Sequence, residues 1–256
     1  MQAVFGAGLL WGTQTHDAYG NVIANPTPIM FGTLQEVSID ISFDTKELYG
    51  SQGQFPIFVG RGKGKIDGKA KMGTIKGAVF GQLFFGQGSS NGLVSVNYDT
   101  VGTVIPSSPN QITVIAPNSG VFQTDLGVIN KANGIPLVLV GTVPLSGQYE
   151  VNPATGQYTF ASADAGNVVL INYSYTAIVS GAVKNTVINV PMGYAPTFSC
   201  ELYTPYGGKS LVLTLNQCIA SKLSLGTKLD DFMIPEFDFS AFADASGNVL
   251  TWSTSE

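Results

Sequence analysis

The chain has 256 residues, 44% of them hydrophobic and only 11% charged, and its formal net charge is −5. That length holds one large domain or a core with a smaller module, and the acidic balance excludes a globally basic nucleic-acid footprint. A charged fraction below half the usual share of about a quarter leaves few groups to keep a monomer soluble, and points to surface buried against other chains.

With 31 Gly, 15 Phe and 10 Tyr, the profile is that of a turn-rich β protein. Met1 to Leu10 (MQAVFGAGLL) is apolar but lacks a basic n-region, and it is too short for a signal peptide or a membrane span. It reads as an N-terminal arm that packs on something. His16, the one histidine, falls in a turn-like segment with no Cys or His beside it to make a metal site.

From Leu34 to Asp44 the chain alternates: Val37, Ile39, Ile41 and Phe43 against Glu36, Ser38, Asp40, Ser42 and Asp44. This is a half-buried strand of period two. Tyr49–Pro56 (YGSQGQFP) carries turn residues, and then RGKGKIDGKAKM runs from Arg61 to Met72. There Arg61, Lys63, Lys65, Asp67, Lys69 and Lys71 share one parity, while Gly62, Gly64, Ile66, Gly68, Ala70 and Met72 occupy the other. A strand is the regular structure that separates these into two faces. Paired as an antiparallel hairpin turning near Gln52–Gly53, Asp44 faces Arg61, Asp40 faces Lys65 and Glu36 faces Lys69. Each such cross-strand pair contributes roughly 0.2–1 kcal/mol, less where solvent screens it. A slip of one residue would put lysines on the apolar face, so burial fixes the parity.

Gly73–Gly86 (GTIKGAVFGQLFFG) changes period: Ile75, Val79 and Leu83 recur every four residues, as on a helix crossing a sheet. Its glycines at 73, 77 and 81 weaken the helix but allow close approach. Residues 97–176 differ in style, with one basic residue (Lys131), many turn residues and short alternating strands. Tyr149 and Val151, then Tyr158 and Phe160, flank the turn Asn152–Gly156, and Val169, Ile171, Tyr173 and Tyr175 form a further run. The segment reads as a small all-β sandwich-like insert of about six strands with its own core. The flanks, 1–96 and 177–256, form one discontinuous domain. Its second part holds strands over Ala195–Tyr203 and Leu211–Leu215, a tight turn at Tyr206–Lys209, a short helix over Cys218–Leu225, a strand over Ile234–Phe242, and a hairpin closed by Asn248–Trp252. Cys200 and Cys218 are expected reduced and partly buried.

Chemistry is sparse. Gly60–Gly64 lacks the Gly-Lys-[Ser/Thr] ending of a phosphate loop, and no helix starts there. A basic ribbon for nucleic acid would be neutralised by its acidic partner strand, and it has no aromatic residues on that face for stacking. Asp230, Asp231, Glu236 and Asp238 fit solvated carboxylates better than an acid/base pair. The thrice-repeated Asp-…-Gly-Asn-Val motif, beginning at Asp17, Asp164 and Asp244, reads as a turn with Asp at its start and lacks the oxygen ligands of a calcium loop. No catalytic residue, metal site or cofactor is expected.

The stretch FGTLQEVSIDISFDTKELYGSQGQFPIFVGRGKGKIDGKAKMGTIKGAVFGQLFFG resembles the first half of bacteriophage tail tube (major tail) proteins, and MGYAPTFSCELYTPYGGKSLVLTLNQCIASKLSLGTKLDDFMIPEFDFSAFADASGNVLTWS is similar to that family's closing strands. The resemblance implies a mainly β, tail-tube-type sandwich or barrel with one crossing helix and a short second helix, plus the small inserted β domain on the outer surface. It implies homohexameric rings stacked into a virion tube, assembled in the host cytoplasm. Double-stranded DNA passes through without sequence-specific binding, no membrane is involved, and a tape measure protein and a tail terminator are partners. An outward insert points to a non-contractile, siphovirus-type tail. On this reading Glu36, Asp40, Asp44, Arg61, Lys63, Lys65, Lys69 and Lys71 form a lumen-side charge ladder, and Lys46, Glu47, Tyr49, Gln52 and Phe55 form an intersubunit, stacking hairpin loop. The alternative is a carbohydrate-binding or adhesin-like β module that uses the insert's tyrosines.

Overall fold

The computed structural model describes residues 5–255, so residues 1–4 of the expected N-terminal arm lie outside the described residues. The protein is mainly β and divides into two compact units. One takes the chain as far as Ser89 and resumes at Asn185; the other is Ser90–Lys184. The second unit is larger at both ends than the expected 97–176. The reason is a ladder: Leu93–Asn97 pairs antiparallel with Tyr173–Ala177, and a boundary at 96 and 177 would cut through it.

The first unit begins with β1 (Leu9–His16), β2 (Ile29–Met30), β3 (Leu34–Tyr49) and β4 (Pro56–Met72). Leu10, placed in the arm by sequence, is a fully buried core residue of β1, and His16 ends that strand instead of lying in a turn. A helical segment follows at Val79–Phe84, wound wide enough that Phe85 N–H reaches back to Phe80 O. Gly77 and Ala78 lead into it in helical conformation, but residues 73–76 are bend and irregular chain, so it is shorter than the helix expected over 73–86. Val79 and Leu83 are fully buried as the stripe requires, but Ile75 lies outside the helix and is exposed.

The second unit contains β5 (Ser90–Asn91), β6 (Leu93–Asn97), β7 (Thr103–Val104), β8 (Gln111–Thr113), β9 (Val121–Asn130), β10 (Val138–Leu139), β11 (Gln148–Asn152), β12 (Gln157–Phe160), β13 (Val168–Ala177) and β14 (Val183–Lys184). It forms two four-stranded sheets and a two-stranded pair of β5 with β14. One has the order β10-β11-β12-β8; in the other, β13 pairs with β6, β7 and β9. The expected β11–β12 hairpin and the alternating β13 are both present. Two-residue strands such as β7 and β10 are too short to show a period, hence the sequence count of about six. Tyr149, Tyr158, Tyr173 and Tyr175 are all buried in this unit's core. Asp125 on β9 accepts hydrogen bonds from Tyr149 Oη at 2.5 Å and Tyr158 Oη at 2.9 Å.

The first unit resumes with β15 (Thr197–Tyr206), β16 (Lys209–Ser224), β17 (Glu236–Phe242) and β18 (Leu250–Thr254). Gly207 (φ 60°) and Gly208 (φ 77°) supply the two positive-φ positions of the tight β15–β16 turn. The sheet order is β2-β1-β15-β16-β17-β4-β3, with β18 also on β16. Its core comprises Leu10, Phe31, Val79, Leu83, Phe198, Leu215, Phe237 and Phe239 among others, and both cysteines are buried there as free thiols.

Two expectations fail in this part. Cys218–Leu225 is not a helix: its residues to Ser224 continue β16. The core-packed residues of β16 are Leu213 and Leu215, then Cys218 and Ala220, then Leu223. Register shifts beside Cys218 and between Ala220 and Lys222 each add a residue, turning two steps of two into steps of three. A doubly bulged strand thus imitates helical spacing. Nor does Asn248–Trp252 close a hairpin. β18 runs in the same direction as β17, end to end with it along one edge of the long β16: Phe242 faces Gln217 and Leu250 faces Leu215.

Candidate functional site

β3, β4, β17 and β16 lie side by side, and one face of this four-strand region is polar. Opposed residues on it are Glu36, Lys71 and Glu236, then Ser38, Lys69, Asp238 and Lys222, then Asp40, Asp67 and Ser240. The other parity carries Val37, Ile39, Ala70, Phe237 and Phe239 into the core. Two glycines thin the apolar parity of β4 where large rings cross it, one over the core and one in the exposed ribbon. Gly68 lies under the Phe239 ring and Gly64 beside the Phe43 ring, and a Cβ on Gly68 would overlap Phe239 Cε2 and Cζ.

The expected ladder is present with a different register. At the tip, Tyr49 faces Pro56, as a turn near Gln52–Gly53 requires. Between Tyr49 and Leu48, and again between Thr45 and Phe43, β4 contributes one extra residue. Each bulge reverses which side of β4 matches β3; two together restore parity but slip the base by two residues. Glu36 therefore faces Lys71, not Lys69, and their ion pair is 2.6 Å long. Lys65 faces Ser42, not Asp40, and turns along its own strand to Asp67 at 2.7 Å. Asp40 faces Asp67, a like-charge pair the sequence pairing did not foresee.

The distal end of the ladder does not form. Arg61 faces Thr45 between the two bulges, on the core-side parity, and its guanidinium lies 3.9 Å from the centre of the Phe43 ring. Asp44 and Lys63 fall in the irregular stretch, with Asp44 beside Gly62. The structure adds three residues the hairpin reading omitted. Glu236 on β17 bridges Lys69 (3.1 Å) and Lys222 (3.9 Å), and Asp238 sits between the same two lysines in register. The alternation of Glu236 and Asp238 with two phenylalanines was the signal for these; only the sheet order puts them beside β4. The hydrogen bond from Lys69 holds the Glu236 carboxyl below its ordinary range, with Lys222 assisting. Hydrogen bonds from Lys65 and Ser240 do the same for Asp67, and Glu36 raises Lys71. These pairs are open to solvent, which screens them, so each adds little to stability. The face is a nearly balanced mosaic: Glu36, Asp40, Asp67, Glu236 and Asp238 against Lys65, Lys69, Lys71 and Lys222.

Beyond this region β3 and β4 continue as a two-stranded ribbon. β17 accompanies β4 only from Lys71 to Ile66. Lys46, Glu47, Tyr49, Gln52 and Phe55 are all exposed on the ribbon, and so are Leu48, Ile57, Phe58 and Val59, which the sequence reading had not singled out. Leu48 faces Phe58 on one side of the ribbon while Glu47 faces Val59 on the other, so apolar groups meet solvent on both faces.

The repeated Asp motifs act as turn supports. Asp17 Oδ1 accepts from the N–H groups of Tyr19 and Asn21, and Asp244 Oδ1 from those of Ser246 and Asn248. Asp164 instead holds Ser146 and Gly147 of a neighbouring loop. His16 Nδ1 lies 2.8 Å from Thr197 Oγ1 on the paired strand. No family model matches this chain, and no curated protein matches it.

Proposed function

We propose that the chain is a structural virion protein, the major subunit of a phage tail tube whose hexameric rings stack around a channel for the genome. The observation that carries this reading is the β3–β4 ribbon. It extends past its own sheet with Leu48, Tyr49, Phe55, Ile57, Phe58 and Val59 exposed. A two-stranded ribbon is marginal alone in water, and exposed apolar surface with unpaired edges is what neighbouring subunits cover. The low charged fraction, 11%, agrees.

On this reading the polar face of β3, β4, β17 and β16 lines the channel. Carboxylates interleaved with lysines produce little net field, so DNA phosphates find no continuous cationic track and slide without tight binding. The second unit lies on the outside, as suits a non-contractile tail, and a tape measure protein and a terminator are further partners. The glycan-binding alternative draws no support from Tyr149, Tyr158, Tyr173 and Tyr175, whose rings are buried. Negative-stain electron microscopy of the purified chain tests the proposal: rings or tubes with sixfold end views are expected, and discrete monomers at high concentration overturn it.

A further inference from the structure

Two asparagines of the second unit are followed by glycine, Asn91 and Asn133, and the fold holds them differently. Asparagine before glycine is chemically labile, because the next backbone nitrogen carries no side chain to obstruct its approach to the carboxamide carbon. Asn91 lies in β5 and pairs with Val183 of β14, while Gly92 N–H donates to Ala182 O at 3.2 Å. On such an extended strand the side chain stands away from the peptide that follows. Asn133 lies at the exposed tip of the turn after β9. Its Oδ1 accepts from Ile135 N–H at 3.0 Å, an Asx-turn that folds the carboxamide back over the Asn133–Gly134 peptide. Gly134 has φ 70°, and a Cβ there would meet nothing within 4 Å, so this peptide is open to water and hydroxide. Gly134 N–H donates to Asn130 O at 2.8 Å, a bond that an exposed turn opens at little cost.

We propose that Asn133 is a self-modification site, converted by water to aspartate and isoaspartate in the folded chain ahead of Asn91. Hydroxide removes the Gly134 amide proton, and the nitrogen attacks Asn133 Cγ. As the N–Cγ bond forms, an electron pair moves onto Oδ1, at which the Ile135 N–H already points. That is the placement of an oxyanion-hole donor. The Cγ–Nδ2 bond then breaks, and the leaving nitrogen takes a proton from water and departs as ammonia, which regenerates hydroxide. Water opens the resulting cyclic imide at either carbonyl, giving aspartate or an isoaspartate whose backbone is one methylene longer. Either product puts a new carboxylate on a unit that has few charges. The second unit holds four acidic residues (Asp99, Asp125, Glu150, Asp164) and two basic ones (Lys131, Lys184), so its net charge goes from −2 to −3. Assembly plays no part in the reaction, which proceeds whether or not the chain forms tubes.

Incubation of the full-length, folded chain in mildly alkaline buffer, followed by peptide mapping with mass spectrometry, tests this. Carboxylate is expected at position 133 roughly tenfold sooner than at position 91, a small share of what one oxyanion donor contributes in an enclosed site. In urea both sites are plain Asn-Gly peptides, and their rates are expected to converge. Asn133→Gln, whose longer side chain disfavours the ring, is expected to lose the acidic form that ion-exchange chromatography separates from the parent. Equal conversion at the two sites of the folded chain, or faster conversion at Asn91, overturns the proposal. So does an unmodified Asn133 under conditions that convert the urea-unfolded chain. A preference for Asn133 that persists in urea overturns it too, because sequence and not the fold would then set the rate.

Discussion

Replacing Gly68 by alanine probes how the charged face is held to its core. The added Cβ would overlap the Phe239 ring, which faces Gly68 across the β17–β4 pair. That ring is 1% exposed and cannot retreat, because Phe198 lies 5.9 Å and Phe237 6.2 Å from it, centre to centre. Overpacking of this kind costs about 1–3 kcal/mol, and the entropy gained by removing a strand glycine returns roughly 0.5–1 kcal/mol. A net loss of about 1–2 kcal/mol is expected, a fall in Tm of a few degrees for a unit of this size. Trp11 and Trp252, the chain's two tryptophans, both belong to the first unit, so urea unfolding followed by tryptophan fluorescence reports on that unit. Phe239→Leu should relieve the overlap, giving a coupling of at least about 0.5 kcal/mol in a double-mutant cycle. A Gly68→Ala chain as stable as the parent, or additive with Phe239→Leu, would refute the close approach as the reason for this glycine.

Acidification should loosen the polar face. Asp67 and Glu236 have carboxyls held below their ordinary range by Lys65 and Lys69 respectively, so their contribution is present above about pH 4 and is lost as pH falls through the lowered values; Glu236→Gln should flatten the acid limb of a stability-against-pH curve. In the second unit, Asp125→Ala strands two buried tyrosine hydroxyls and should cost about 2–4 kcal/mol, read as faster hydrogen exchange across Tyr149–Phe160. Burial and the Asp125 hydrogen bonds raise Tyr149 and Tyr158 above the usual tyrosine range, so that stability is full below about pH 10 and declines above it; Tyr158→Phe should reduce the decline. Burial likewise pushes the Cys218 thiol up to about 12, and Cys200 rises for the same reason, so neither should react with a thiol reagent at pH 8 until urea unfolds the chain.

The sequence by itself determined which side of each strand faces the core. Alternation from Val37 to Phe43 and from Ile66 to Met72 required the charged and apolar faces observed, because side chains on a strand point to opposite sides in turn. It also determined the turns, since Gly207, Gly208 and the Asp-led loops satisfy local backbone needs. Only the tertiary structure decided what faces what. A bulge adds a residue without marking the local pattern, so two bulges in β4 turned Asp40–Lys65 into Asp40–Asp67 and moved Arg61 onto Phe43. Two more in β16 made a strand look like a helix. An open groove beside Trp252 was equally illegible, because its walls come from Phe43 and Leu250, about two hundred residues apart, and meet only through the order in which strands pair.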